Sequence, residues 1–460
     1  MNAVLWGVLA YILVQLIIGL VVSRRIQTES DYLLAGRQFG YGMLTMTLFA
    51  TWFGAETCIG ASGEVYSEGL AGARMDPLGY SFCLIFMGIF FAVPLWNRKC
   101  TTLADVFRDR FSPGVEKLAV ILMAPTSMMW AAAQIRAFGS VISASSELSL
   151  EITITLSALM VIVYTTSGGL LADAITDFIQ GIVLIFGLLL LLGVVLFKYA
   201  AGDIPAPSPD RFTFLYAEES SALVQLEGWT IPIIGSVLSQ ELVARILAAR
   251  TPVHARRASL MSAGLYLMVG AIPVLLGLFG PGILPGLEET EQFLPSLAKQ
   301  MLPTFLYVIF AGALISAILS TVDSALLAAG ALVSHNLIIP SMKSGDEKAK
   351  LRVTRICVFV FGLMAYYLAL HAESVHDLVE EASAFGSTGI FVVIVFGLFT
   401  RYGSWMTALC TLAAGIGVYV LFAYHYESEF PYLISLFAAT ITYLSIGLLE
   451  GPVLEEERAT

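Results

Sequence analysis

Apolar stretches of about twenty residues, each closed by a short polar or charged segment, recur along the whole chain. A stretch of that length crosses the hydrocarbon layer of a bilayer as an α-helix. Thirteen spans are predicted, at about residues 3–23, 41–65, 77–96, 116–146, 151–166, 171–198, 228–249, 257–280, 302–335, 353–371, 378–400, 404–424 and 431–449. The pattern is that of an all-α polytopic membrane protein. The first run is a full span long and ends at Arg24 and Arg25 without a small-residue cleavage motif, so it reads as a membrane helix rather than a secretion signal.

Charge orients the spans. The loops after the first, third, seventh and ninth carry Arg24, Arg25 and Arg37; Arg98, Lys99, Arg108, Arg110 and Lys117; Arg250, Arg256 and Arg257; and Lys343, Lys348, Lys350 and Arg352. The alternate loops are acidic or nearly uncharged, as at Glu218-Glu219 and at Glu288, Glu289 and Glu291. Basic loops face the cytoplasm. This predicts a multi-pass protein of the cell membrane with its N-terminus outside and its C-terminus in the cytoplasm.

The external loop 200–227, with its AGDIPAPSPD segment, divides the apolar chain near its middle. Five spans lie in residues 38–199 and five in 228–402, and an odd number per set gives the sets opposite orientation, as in inverted repeats. Residues 1–37 then hold a peripheral first helix and loop. Residues 403–460 hold two more peripheral helices and a short tail. Topology alone carries this division, since no repeat is visible residue by residue.

Composition narrows the class further. Only 13% of residues are charged and 58% are hydrophobic, about half the charge of a soluble domain, roughly 25%. The net charge of −11 sits in loops and gives no reason to expect a nucleic-acid partner. Five cysteines without metal spacing read as small buried hydrophobes. His254, His335, His371, His376 and His425 all fall at loops or helix ends, with no nucleophile or metal cluster beside them. Enzymatic chemistry is not expected.

Polar groups inside the spans carry the candidate chemistry. Residues 311–330 set Ser316, Ser320, Thr321, Asp323 and Ser324 into the most apolar part of the ninth span, and an ionisable group there is costly enough to suggest function. Its hydroxyls suit two readings, oxygen ligands for a cation or bonds back to helix carbonyls that aid close packing. The second span is interrupted by Gly54, Gly60 and Gly63 beside Glu56 and Thr57. The seventh has Pro232, Gly235, Ser239, Gln240 and Glu241 at the equivalent place. Two broken helices at corresponding positions point to a shared transport cavity; close helix packing is the alternative use of such glycines. Trp130 and Gln134 stand one turn apart, as do Asp173 and Asp177, whose carboxylates would share a helix face.

DYLLAGR (31–37), YTTSGGLLADAITDFIQ (164–180) and AILSTVDS (317–324) resemble, in order and spacing, segments of the sodium:solute symporter family. The resemblance implies the leucine-transporter fold of two inverted five-helix repeats. It also implies sodium-coupled uptake of a small organic solute by alternating access, with sodium as the co-transported ion. Carried over, the family's sodium site would consist of the carbonyls of Ala50, Phe53 and Ala317 and the hydroxyls of Ser320 and Thr321, with Asp177 as a nearby charge or further ligand. Asp173 and Asp323 become candidates for a second cation or a proton. FATWFGAE, GEVYSEG, DPLGYS, MMWAAA and RICVFVFG are most similar to the choline-transporter branch. That likeness puts Trp52, Tyr80 and Trp130 where the branch encloses a quaternary ammonium, with Thr57, Gln134, Ser239 and Gln240 as further solute contacts. Ser239 stands where the branch has another cage tryptophan, which opens the pocket to a more polar solute. A choline-like cation, an amino acid such as proline and a carboxylate all stay open. An uncoupled channel or sensor on the same fold is the reading from another class. The partners implied are the solute, sodium and the lipid bilayer; oligomeric state is not legible.

Overall fold

The computed structural model describes residues 26–452 apart from 147, 215–220, 343–345 and 373, together with eight positions between 6 and 22. The predicted first span, the Glu218-Glu219 pair, Lys343 and the tail beyond 452 therefore lie wholly or largely outside the described residues. The described chain is nearly all helical, about 85%, with no strands. Ten helical stretches in it are long and apolar enough to cross a membrane, and Leu150–Val163 is a shorter apolar helix. The count of thirteen remains an expectation.

The second span is split into α1 (Tyr41–Trp52) and α2 (Ala61–Glu68). The third begins with α3 (Tyr80–Phe86), and α4 (Pro113–Ser145) follows. α4 starts where Ser112 Oγ accepts the Val115 amide and Pro113 takes the first helical position, a start that satisfies one orphan donor and wastes none. α5 (Leu150–Ala200) contains both the fifth and sixth predicted spans, separated by a bend at Gly169, whose φ is 59°. Only glycine adopts that conformation without strain, and a Cβ there would also meet the ring and carbonyl of Tyr32.

The seventh span comprises α6 (Ala222–Thr230), a wide turn at Ile231–Gly235, an unwound stretch and α7 (Gln240–Leu247). It begins six residues ahead of the predicted 228, because Ser221 Oγ accepts the Val224 amide and caps it there. α8 (Pro252–Ile283), α9 (Thr304–Val333) and α10 (Glu347–His371) follow. The eleventh span is likewise divided, into α11 (Val375–Ala384) and α12 (Ser387–Phe399), at Gly386 with φ 68°. α13 (Trp405–Val420) and α14 (Pro431–Glu450) pack mainly on each other.

α9 is the hub. Every residue from Phe310 to Leu332 is buried, as expected of a helix apolar on all sides, and α4 and α5 are its principal neighbours. α14, by contrast, presents Phe437 and Leu449 outward. Its exposed apolar side is what a lipid-facing helix requires.

The loop face that carries the basic residues is tied together by Asp105. Its Oδ2 accepts the Thr101 and Thr102 amides at 2.7 and 3.1 Å, and its Oδ1 accepts from Asn336 Nδ2 at 2.8 Å. Burial pushes this carboxyl up, but His335 and the two amides outweigh it and hold it at about 2.

Candidate functional site

α1 stops at Trp52 because Phe53 turns to φ −93°, ψ 68°. The amides freed by the break are taken up by side chains. Gly54 N–H donates to Glu56 Oε1 at 3.2 Å, and Ala55 N–H donates to Gln134 Oε1 at 2.9 Å. Gln134 Nε2 then donates to Glu56 Oε2 at 2.7 Å, closing a clamp across α4 and the broken helix. Buried donors need such partners; the clamp keeps an unwound segment stable inside the membrane.

α9 meets the break on its other side. Ser320 Oγ lies 2.7 Å from the Ala50 carbonyl and 2.8 Å from the Ala317 carbonyl, and Thr321 Oγ1 donates to Ala317 O at 3.2 Å. Four of the oxygens expected for sodium are thus together, and Phe53 is fully buried at the turn beside them. A Cβ on Gly54 would come within 2.5 Å of Thr321 Oγ1 and 2.9 Å of Gln134 Oε1. Overpacking of this kind costs about 1–3 kcal/mol. Gly54→Ala is expected to raise the sodium concentration for half-maximal uptake by about 5–150-fold; an unchanged sodium curve would show that the break and α9 need not touch.

Three aromatic rings close on each other beside the break. Ring centroids are 5.3 Å apart for Trp52 and Tyr80, 5.2 Å for Trp52 and Trp130, and 6.0 Å for Tyr80 and Trp130. Ser239 and Glu241 line one cavity with Trp52, Trp130, Thr51 and Thr321. The adjoining cavity adds Ser236 and Ser383, and the Ser383 hydroxyl is 3.3 Å from Tyr80 OH and 3.1 Å from Ser236 Oγ.

Other predicted solute contacts are engaged elsewhere. Gln134 spends its amide on the clamp, and Thr57 Oγ1 is 2.7 Å from both Asp76 Oδ2 and Tyr266 OH. Gln240 Oε1 accepts the Leu103 amide at 2.8 Å, although the residue borders the second cavity.

The acidic residues separate into two places. Asp323 accepts from Thr165 Oγ1 at 2.5 Å, next to the bend in α5. Asp173 and Asp177 share the guanidinium of Arg245, whose Nη2 is 2.7 Å from Asp173 Oδ2 and 3.2 Å from Asp177 Oδ2. Arg245 Nε also donates to Thr47 Oγ1 at 3.0 Å, and Thr47 in turn donates to Asp177. Asp177 therefore sits with Arg245 and Thr47. The connection of this group to Ser320 runs through Ser324, which donates to the Ser320 carbonyl at 2.6 Å and lies 3.2 Å from Asp173 Oδ2. Sequence reasoning missed Arg245 and the Asp76–Tyr266 pair; a lone arginine in the apolar run after Glu241 was the available signal.

Helices broken within the membrane, with freed carbonyls facing hydroxyls on a central helix and an aromatic cavity alongside, define a secondary transporter. The family model of the sodium:solute symporter family matches residues 32–415, and the chain belongs to that family. It is 27% identical to the high affinity choline transporter 1 of Homo sapiens over 441 residues, covering 89% of this chain and 75% of that one. It is 25% identical to the sodium/proline symporter of Salmonella typhimurium over 425 residues, 86% and 83% of the two chains. Among solved structures, a Na+-coupled sialic acid symporter in a substrate-bound outward-open state matches with a TM-score of 0.82 at 16% identity, over 99% of both chains. The fold is accordingly the leucine-transporter fold. Membership makes the protein a sodium-coupled symporter of an organic solute, with sodium as the co-transported ion.

Proposed function

We propose that the solute is a small organic cation of the quaternary-ammonium class, choline or a close analogue, carried inward with sodium by alternating access. The observation that carries this reading is the trio of Trp52, Tyr80 and Trp130 rings, of which Trp52 and Trp130 line one cavity with the buried carboxylate of Glu241 while Tyr80 packs behind them. Glu241 is 8% exposed, and its Oε1 has no hydrogen-bond partner. Aromatic faces attract a desolvated cation by about 2 kcal/mol; the carboxylate would balance its charge. Similarity to a choline transporter supports the same class.

A zwitterionic amino acid such as proline is the second reading. It is favoured by the hydroxyls of Ser236, Ser239 and Ser383 around the cavity, which would donate to a carboxylate, and by similarity to the proline symporter.

Sodium would be held by the Ala50, Phe53 and Ala317 carbonyls and the Ser320 and Thr321 hydroxyls, with Asp177 supplying negative potential and Ser324 linking Asp173 to the Ser320 carbonyl. Bound there, it ties α1 to α9 and fixes the Trp52 wall of the solute pocket. The two repeats occupy residues 38–199 and 228–402, with the basic loops in the cytoplasm and the N-terminus outside.

Proteoliposomes with an inward sodium gradient and a radiolabelled panel of choline, proline and a small carboxylate test the assignment. Saturable, sodium-stimulated choline uptake that falls at least tenfold in Glu241→Gln is expected. Uptake of proline alone would favour the second reading, and flux that neither saturates nor tracks sodium would favour an uncoupled channel.

A further inference from the structure

A second group of oxygens lies beside the break in α1, where α8 approaches it. Tyr266 of α8 places its hydroxyl 3.0 Å from the Trp52 carbonyl, 3.0 Å from both Asp76 oxygens and 2.7 Å from Thr57 Oγ1. Thr57 Oγ1 is also 2.7 Å from Asp76 Oδ2. All four residues are buried. The approach is tight, since a Cβ on Gly270 of α8 would overlap Pro77, the residue after Asp76. Trp52 is the last residue of α1, so its carbonyl is one that the end of a helix leaves without a regular backbone donor.

Counting protons shows what this group lacks. It contains oxygen–oxygen contacts for the pairs Asp76–Thr57, Asp76–Tyr266, Tyr266–Trp52 and Tyr266–Thr57, but the hydroxyls of Thr57 and Tyr266 supply only one proton each. If Thr57 donates to Asp76 and Tyr266 donates to the Trp52 carbonyl, the contacts of Tyr266 with Asp76 and Thr57 bring lone pairs together. No ion pair to Asp76 exists among the described residues; Glu56, Cys58 and Tyr80 are the other ionisable groups that face it, and none is basic. One further positive charge would bridge the carboxylate to the tyrosine oxygen and neutralise a carboxylate held within the membrane, where an uncompensated charge is costly.

We propose that Asp76, Thr57, Tyr266 and the Trp52 carbonyl form a second monovalent-cation site, filled by a proton or by a sodium ion. A carboxylate, a freed carbonyl and two hydroxyls are hard oxygen donors suited to either. The site is coupled to the solute pocket through Trp52, whose carbonyl is a ligand and whose ring is a wall of the cage. It shares no ligand with the Ser320–Thr321 site and does not depend on which solute is carried.

The test counts cations on purified full-length protein without solute. Radioactive sodium bound at saturation and the infrared carbonyl band of protonated carboxyl groups are measured for the wild type, Asp76→Asn and Tyr266→Phe. If sodium fills the site, Asp76→Asn binds one sodium fewer per protein, and Tyr266→Phe needs a higher sodium concentration to reach the wild-type count. If a proton fills it, the sodium count is unchanged, Asp76→Asn loses one residue's share of the band, and Tyr266→Phe shifts that share in frequency. Equal counts and superimposable bands in all three proteins would overturn the proposal. Ser320→Ala with Thr321→Ala removes the other ion, so failure of that assignment is read separately.

Discussion

Replacing Ser320 and Thr321 together by alanine is expected to abolish the dependence of uptake on external sodium over the usual concentration range. Both hydroxyls are buried, and Ser320 Oγ touches the Ala50 and Ala317 carbonyls at 2.7 and 2.8 Å. An alanine methyl donates no lone pair, so two of the five proposed ligands vanish while the three carbonyls stay behind. A polar contact to a charged group is worth about 1.5–3 kcal/mol. Two of them amount to roughly 3–6 kcal/mol, or about 10² to 10⁴ in sodium affinity. Thr321→Ser keeps the oxygen and should keep most of the affinity, which separates ligation from packing. Uptake by the double variant with an unchanged sodium curve would remove α9 from the sodium site.

Each half of that pairing of α1 with α9 is legible locally, but that the two meet was implied only by the resemblance to the family. Glycines and an acid interrupt an apolar run in one, and hydroxyls cluster in the other. The aromatic trio was legible only by resemblance, since Trp52, Tyr80 and Trp130 lie on three separate elements and no periodicity links them. Gln134 and Thr57 show the limit differently. Their burial in a span signalled polar work, yet an amide serves a backbone N–H as readily as a solute, and only the fold shows that Gln134 closes on Ala55 and Glu56. Asp173 and Asp177 were correctly placed on one helix face, but their counter-ion lies 72 and 68 residues away. No local pattern reports a partner at that separation.

This counter-ion supplies the other large effect. Arg245→Met is expected to destabilise the protein by about 3–5 kcal/mol, the usual cost of removing one partner from a buried ion pair. Here one guanidinium serves two carboxylates: Arg245, Asp173 and Asp177 have side chains 1%, 2% and 0% exposed. Asp173 Oδ1 and Asp177 Oδ1 already lack hydrogen-bond partners, so the carboxylates have little else to turn to. Lysine should rescue poorly, because the guanidinium uses separate nitrogens for Thr47 Oγ1, for the Glu241 carbonyl at 3.2 Å and for the two aspartates, and an ammonium cannot span that fork. Adding Asp173→Asn and Asp177→Asn to Arg245→Met should recover much of the lost stability, since removing both sides of a buried pair leaves no stranded charge. Thermal unfolding of the purified protein measures both steps. The network joins α1, α5, α7 and α9, and Ser324 connects it to Ser320. The triple variant should therefore fold and still bind sodium more weakly than the wild type. An Arg245→Met protein as stable as the wild type would mean that water or another cation reaches the two aspartates.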